Sequence, residues 1–595
     1  MKARAALALL LLLAAGVAIA YQIRAAQRPA TPSLSSYLPQ DALLTIESPD
    51  FAFLLQKWTN SAESKAWLAS ASYSVFQNSR LFGRLGDAET SFATAAAIPS
   101  GVDLLNQVAG KESVFAWYDI GKLEFFYITR MPGAQVDRSQ LFQARATFQR
   151  RHAGNSDFYV RTSGADYGTV AFARVPGPSG DLVLLATRED LVANALKLIA
   201  APSPANSVRQ EPWFRDVSAA LPAEHPAPVL RMVLNLDRIA VDPHFRSYWI
   251  QRNISWTQQF RAAASDLYIE PARFREERVL LPKSPETETA DINLAPLASL
   301  APPSAGIYRV IRTHDPSVAI TAIQEKLLGS YTAPQVDTEY APAPSLDATQ
   351  SGSASDLETR IDALPPISPS ASANDLAQVI QSSGIDAVLT ISSAQTPAEQ
   401  NEPWVPIHSA VVLHTDSAAN PQTLASALEQ TLGGSLATAS IGINFQTTGD
   451  AIYALTGPRP LFFALSSTPA QGNLILAADD RALLADLLHN VAAASPDKTS
   501  TPASLIAVFN HSSQRAPYLR LTSLIDGTNN QPRHPRNSAQ ISPDGGTEVI
   551  STPAFFSGNL GSLSDALANL QSERVVERIV DSNLRQTVTY VWKTQ

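Results

Sequence analysis

A serine nucleophile is held on a strained turn or beside a base that takes its proton. No G-x-S-x-G occurs in the 595 residues, so the hydrolase elbow has no candidate. Ser495-Pro496-Asp497-Lys498 has the S-x-x-K spacing that sets a lysine one helical turn beyond its serine. Here a proline follows the serine in a polar stretch and no K-T-G comes downstream, so the segment reads as a loop. The nine histidines are scattered (152, 225, 244, 314, 408, 414, 489, 511 and 534), with no pair at i, i+2 or i, i+4. Those spacings are how metal sites recruit ligands in pairs. His408 and His414 can share a strand face but then stand ~20 Å apart. In His314-Asp315-Pro316 the aspartate is expected to cap a helix rather than act as a base.

Carboxylates come in pairs at Glu189-Asp190 and Asp479-Asp480, each opening a helical pattern. The positive end of a helix dipole favours acids there, so the structural role outweighs a glycosidase pair. Glu276-Glu277, within Phe274-Arg275-Glu276-Glu277-Arg278, reads as a charged, solvated sheet edge. Gly110-Lys111-Glu112 ends like a phosphate loop, but Leu105 stands where the first glycine belongs and Glu112 where Ser or Thr belongs. No G-x-G-x-x-G follows a strand. Most of the eight tryptophans lie in apolar-patterned segments, which favours packing over a sugar platform. No residue is nominated as catalytic, cofactor-binding or metal-ligating, and no cofactor is expected.

Composition points the same way. There is no cysteine, which removes disulfides, thiolate metal sites and thiol chemistry. A net charge of -9 argues against a nucleic-acid partner, whose phosphates need clustered Lys and Arg. The 45% hydrophobic content and the length allow two or more folded units.

Elements come next. Met1-Lys2-Ala3-Arg4 leads into an uncharged run of 16 residues, Ala5 to Ala20, extended by Tyr21 and Ile23. That length falls between a signal-peptide core (~7–15) and a bilayer span (~17–25). Residues 1–23 are therefore expected to be a membrane anchor, or a signal peptide cut after Ala18-Ile19-Ala20. A Pro/Ser/Ala-rich spacer, 24–37, follows. Beyond it, Gly180-Asp181-Leu182-Val183-Leu184-Leu185-Ala186 is matched by Gly472-Asn473-Leu474-Ile475-Leu476-Ala477-Ala478, 292 residues on, and both lead into a helix pattern. Weaker matches run from Ala42 to Ala305 (263), from Gly164 to Gly449 (285) and from Ser265 to Ser572 (307). Shifts that rise along the chain are what a duplication with insertions produces.

The expected halves are 38–281 and 301–593, with a linker at 282–300 and disordered insertions near 333–370 and 526–546. Alternation in Arg231–Asp237 puts Met232, Leu234 and Leu236 inward, and in Thr587–Trp592 it does so for Val588, Tyr590 and Trp592. Helices are expected at Ser139–Gln149, Arg188–Ala200, Pro421–Leu432 and Ser562–Leu570, and Asp50 is expected to cap another. The fold class that fits is α+β: two related lobes, each an antiparallel sheet with helices on one face.

Leu38-Pro39-Gln40-Asp41-Ala42 opening a strand, the Gly-x-Leu-x-Leu strand with its helix, and the closing Phe274–Leu281 together resemble bacterial envelope proteins grouped as a domain of unknown function, family thirty-three fifty-two. The resemblance covers most of the first half and is looser in the second. It implies an exported or membrane-tethered protein and carries no catalytic residues. The leading expectation is a non-catalytic binding or scaffolding component of the cell envelope. It would be single-pass in the inner membrane, or periplasmic if cleaved after Ala20, with an envelope protein or polymer as partner. The alternatives are an extracytoplasmic hydrolase without a local motif and a soluble periplasmic ligand-binding protein.

Overall fold

The computed structural model describes residues 32–593 apart from internal stretches, the longest being 163–167, 243–256, 285–291, 329–372, 395–404, 436–445, 495–501, 526–536, 542–546 and 552–563. The expected anchor and most of the spacer lie outside the described residues, as do the insertion near 333–370 and most of that near 526–546.

The first ten strands are β1 (Leu44–Ser48), β2 (Ser113–Asp119), β3 (Glu124–Met131), β4 (Gln149–Ala153), β5 (Ser156–Thr162), β6 (Thr169–Val175), β7 (Asp181–Ala186), β8 (Leu230–Asn235), β9 (Phe260–Glu270) and β10 (Arg273–Pro282). After the short β11 (Ile292–Asn293) come β12 (Ile307–Arg312), β13 (Ile385–Ala394), β14 (Ile407–Thr415), β15 (Gln446–Thr448), β16 (Ile452–Leu455), β17 (Leu461–Thr468) and β18 (Gly472–Ala478). The chain ends with β19 (Pro502–Ala503), β20 (Leu505–Phe509), β21 (Asn537–Ile541), β22 (Thr547–Ser551), β23 (Leu570–Val580) and β24 (Asn583–Trp592).

Twenty of these strands form one antiparallel sheet, and β11–β19 and β21–β22 are separate ribbons. From its middle, where β10 pairs with β24, the sheet runs outward as β10-β9-β8-β1-β2-β3-β7-β6-β5-β4 on one side. On the other side it runs β24-β23-β20-β12-β13-β14-β18-β17-β16-β15. The two series have the same strand order. The registers agree as well. Ile46 lies in one row with Phe115, Tyr127, Leu185, Phe172 and Tyr159. Arg309 lies in one row with Thr390, Val411, Ala477, Phe463 and Tyr453. Ile46 to Arg309 is the shift of 263 and Leu185 to Ala477 the shift of 292. The other two matches do not hold in register. Thr162 closes β5 whereas Thr447 lies in β15, and Ser265 occupies the place of Val575 rather than Ser572.

Helices pack on both faces of each half, not on one as the sequence suggested. All six residues of β7 are buried. Leu182, Leu184 and Ala186 join a core with the helices Glu189–Ala200 and Pro212–Ala220, while Val183 and Leu185 join another with Arg80–Ala96 and Gln140–Gln143. In β18, Leu474, Leu476 and Ala478 pack on the helix Arg481–Ala493. Ile475 and Ala477 pack on Ala373–Ser383 and Pro421–Ser435.

Other expectations need correction. The strand with Glu276-Glu277 is no edge: β10 is paired along its length on both sides, at the centre of the sheet. The end of the linker, 292–300, is structured, since Leu294, Leu297 and Leu300 are buried in the second half's core, and so is the end of the spacer, where Leu34 is buried. In β8 the buried residues are Val233 and Asn235, with Met232 and Leu234 only half-covered on the opposite face. Ser139–Gln149 gives one helical turn, Gln140–Gln143, a 3-10 turn and the start of β4, and Leu570 opens a strand. The helices Glu189–Ala200 and Pro421–Ser435 stand where expected, and Asp50 accepts from the Phe53 N–H at 3.0 Å as the cap of the helix Phe51–Asn60.

Candidate functional site

Where β1 ends and β2 and β8 begin, the first half holds a cavity of about 890 Å³. Its charged lining is Glu47, Lys111, Glu112, Arg130 and Arg231, with Tyr268 beside them. Val114, Met131 and several prolines supply an apolar wall. Strand ends position these groups: Glu47 is next to last in β1, Lys111 and Glu112 lead into β2, Arg130 is next to last in β3 and Arg231 is second in β8.

The charges are locked in place from behind. Arg231 donates to both carboxylate oxygens of Asp266 at 2.6 Å, and the Asp266 side chain is fully buried. Arg130 Nε donates to Glu112 Oε2 at 3.0 Å. Burial raises the Glu47 pKa, opposed by a hydrogen bond with Ser35 and the charges of Arg231 and Arg209. The Arg275 guanidinium lies 4.3 Å from the Tyr268 ring centroid.

Glu47, Arg231 and Asp266 stand side by side in one row of the sheet, continued by Glu277 and then Thr587 across the seam. On the far side the same row reads Val576, Ile506 and Val310, all buried in the second half's core. Counted outward from the seam, the fold thus carries Val, Ile and Val where the first half carries Asp, Arg and Glu. The charges are not demanded by the architecture.

At the corresponding end of the second half lies a smaller cavity, about 250 Å³, lined by Asp386, His414 and Gly472 among others. His414 holds the place of Arg130, opposite the strand-opening glycine, and Asp386 sits in a bulge of β13 near the place of Glu112. His414 Nδ1 is hydrogen-bonded to Asp386 Oδ1, and that bond raises the His414 pKa against the opposing effect of burial. Gly472 has φ +69°, and a Cβ there would come within 2.7 Å of His414 Nε2, so the imidazole needs the bare backbone. A third cavity, about 650 Å³, includes Asp41, Tyr118, Arg188 and Asp190. In it Tyr118 donates to the Pro39 carbonyl at 2.8 Å, and Arg188 bridges Asp190 and, outside the lining, Glu124.

The residues weighed in the sequence fall as follows. Ser495–Lys498 lies outside the described residues. Among the described residues no group of three or more His, Asp or Glu is placed to hold a metal ion. Asp315 accepts from the Ser317 N–H at 2.9 Å and Asp480 from the Leu483 N–H at 2.8 Å, both as helix caps. Glu189 and Asp190 fill a first helical turn, and Asp479 accepts from the Ser409 N–H at 2.9 Å. Glu276 pairs with Arg278 and Glu277 with Arg275. The cavity was missed because its members are far apart in the chain. The available signal was a charge inside each of three strands, Glu47, Arg231 and Asp266.

No family model matches the chain, and no curated protein matches it. Among solved structures, crystal form I of TP0453 is similar with a TM-score of 0.24 and 10% identity, over 44% of this chain and 82% of that one. Crystal form III of TP0453 is similar with a TM-score of 0.24 and 12% identity, over 44% and 84%. Likeness at this level bears on neither fold nor function. Among the described residues no helix is long and apolar enough to cross a membrane.

Proposed function

We propose that the protein is a non-catalytic binding component of the bacterial envelope, tethered or exported by its N-terminal run and built from two copies of one ancestral module. The observation that carries the binding reading is the charged row Glu47–Arg231–Asp266 beside a cavity of about 890 Å³. A buried ion pair is costly against apolar residues of similar size, and the second half fills the same row with Val310, Ile506 and Val576. Charges kept where the fold accepts aliphatic side chains point to a use. Their carboxylates and guanidiniums are held by one another rather than set against a nucleophile, which favours binding over turnover.

Duplication is supported by the common strand order and by one detail of packing. Phe172 stacks on Tyr159 and Phe463 on Tyr453, at the same step of the two rows, with both phenylalanines fully buried. Export is supported by Ala5–Ala20 behind Lys2 and Arg4. A C-terminal alkaline phosphatase fusion tests it: active phosphatase in the membrane fraction is expected, with the leader intact at the mapped N-terminus. Release after cleavage at Ala20 would instead give the periplasmic variant. Activity of a cytosolic reporter fusion, or reproducible turnover of a substrate by the purified protein, overturns the proposal.

A further inference from the structure

We infer that the first-half cavity takes an organic anion with an apolar body, its carboxylate or phosphate accepting hydrogen bonds from Lys111, Arg130 and Arg231. This rests on the binding reading above and adds the ligand's chemistry to it. The cavity size is within the ~300–1,000 Å³ usual for small-ligand sites, and Val114, Met131 and the prolines of its wall offer a body of low polarity a dry surface.

The polar inventory sets the sign of the head group. Asp266 occupies Nε and Nη2 of Arg231, leaving Nη1, while Glu112 occupies only Nε of Arg130, leaving both terminal nitrogens. Lys111 is exposed beside them. Guanidinium forks with unused N–H groups suit planar carboxylate or tetrahedral phosphate oxygens. Glu47 is the one acid of the lining without an arginine hydrogen bond, and burial raises its pKa against the pull of Ser35, Arg231 and Arg209, so it holds its charge less firmly than an exposed carboxylate. In the second half the equivalent row is aliphatic and the smaller cavity presents His414 and Asp386 already joined. One site per chain follows.

The test is equilibrium dialysis of three labelled probes against the full chain in lipid nanodiscs, with empty discs as the blank. The probes are dodecanoate, dodecyltrimethylammonium and inorganic phosphate. Saturable uptake of about one dodecanoate per chain is expected, at least tenfold tighter than either other probe. Two variants locate it. R130M/K111M should weaken dodecanoate at least tenfold, and E47V/R231I/D266V should abolish saturable uptake. The triple variant carries the residues the second half uses in the same row, and its circular dichroism melt reports whether it folds. Tighter uptake of the cationic chain, phosphate bound as tightly as dodecanoate, or unchanged uptake by folded variants would overturn the inference. Those results leave the fusion and fractionation outcome untouched, so the two proposals fail separately.

Discussion

Asp386 and His414 form the kind of contact whose worth depends on pH. The bond to the carboxylate raises the histidine's folded pKa above its unfolded one. Stability from the pair is therefore complete below the ordinary histidine value, about 6.5, and is lost as pH rises through the raised folded value. Both side chains are about a quarter exposed, 30% and 23%, so the contribution is about 1 kcal/mol. Urea midpoints taken across pH 5–9 should fall on the alkaline side in wild type and lose that step in D386N; identical profiles would remove the pair from the stability account. At this scale the sequence was legible where the rule is local. Asp50, Asp315 and Asp480 precede helical patterns and cap them. It was illegible where partners are distant: Asp386 lies 28 residues from His414, in a bulge that no periodicity announces.

Among the elements, β7 and β18 were the plainest in the sequence and still misled on layering. A strand covered on both faces needs no polar alternation, and Leu182–Ala186 has none. That unbroken run was itself the sign of helices on both sides. Charge in β10 misled in the opposite direction, because each acid has a basic partner within the sheet and the strand is paired on both sides. The cross-strand aromatic pairs allow a paired experiment. Phe172→Ala and Phe463→Ala should each cost about 3–5 kcal/mol in denaturant unfolding, because each empties a fully buried site. Tyr159→Leu and Tyr453→Leu, which keep most of the buried bulk, should cost about 0.5–1.5 kcal/mol. Unequal losses at the two phenylalanines, by more than about 2 kcal/mol, would argue that the rows are not alike in packing.

For the whole molecule, the seam between β10 and β24 joins eight residue pairs, Arg273–Val591 through Leu280–Leu584. Thr587 donates to Glu277 there at 2.8 Å, and Val588 is fully buried. Residues 32–284 and 292–593 co-expressed as separate chains should co-purify through this pairing, and Val588→Asp should release them, read as two peaks in gel filtration. Halves that stay apart without the substitution would make the covalent connection, not the sheet, the thing that joins them.

Glu277 faces Thr587 at the point about which the strand order repeats. Were the first half to pair with another copy of itself about that point, carboxylate would meet carboxylate, an arrangement that costs stability in antiparallel strands. A threonine on the other side removes the repulsion and accepts the acid as a partner. A single side-chain difference thus favours the union of the unlike halves over pairing of the first half with itself, and leaves either side of the seam free to differ chemically from the other.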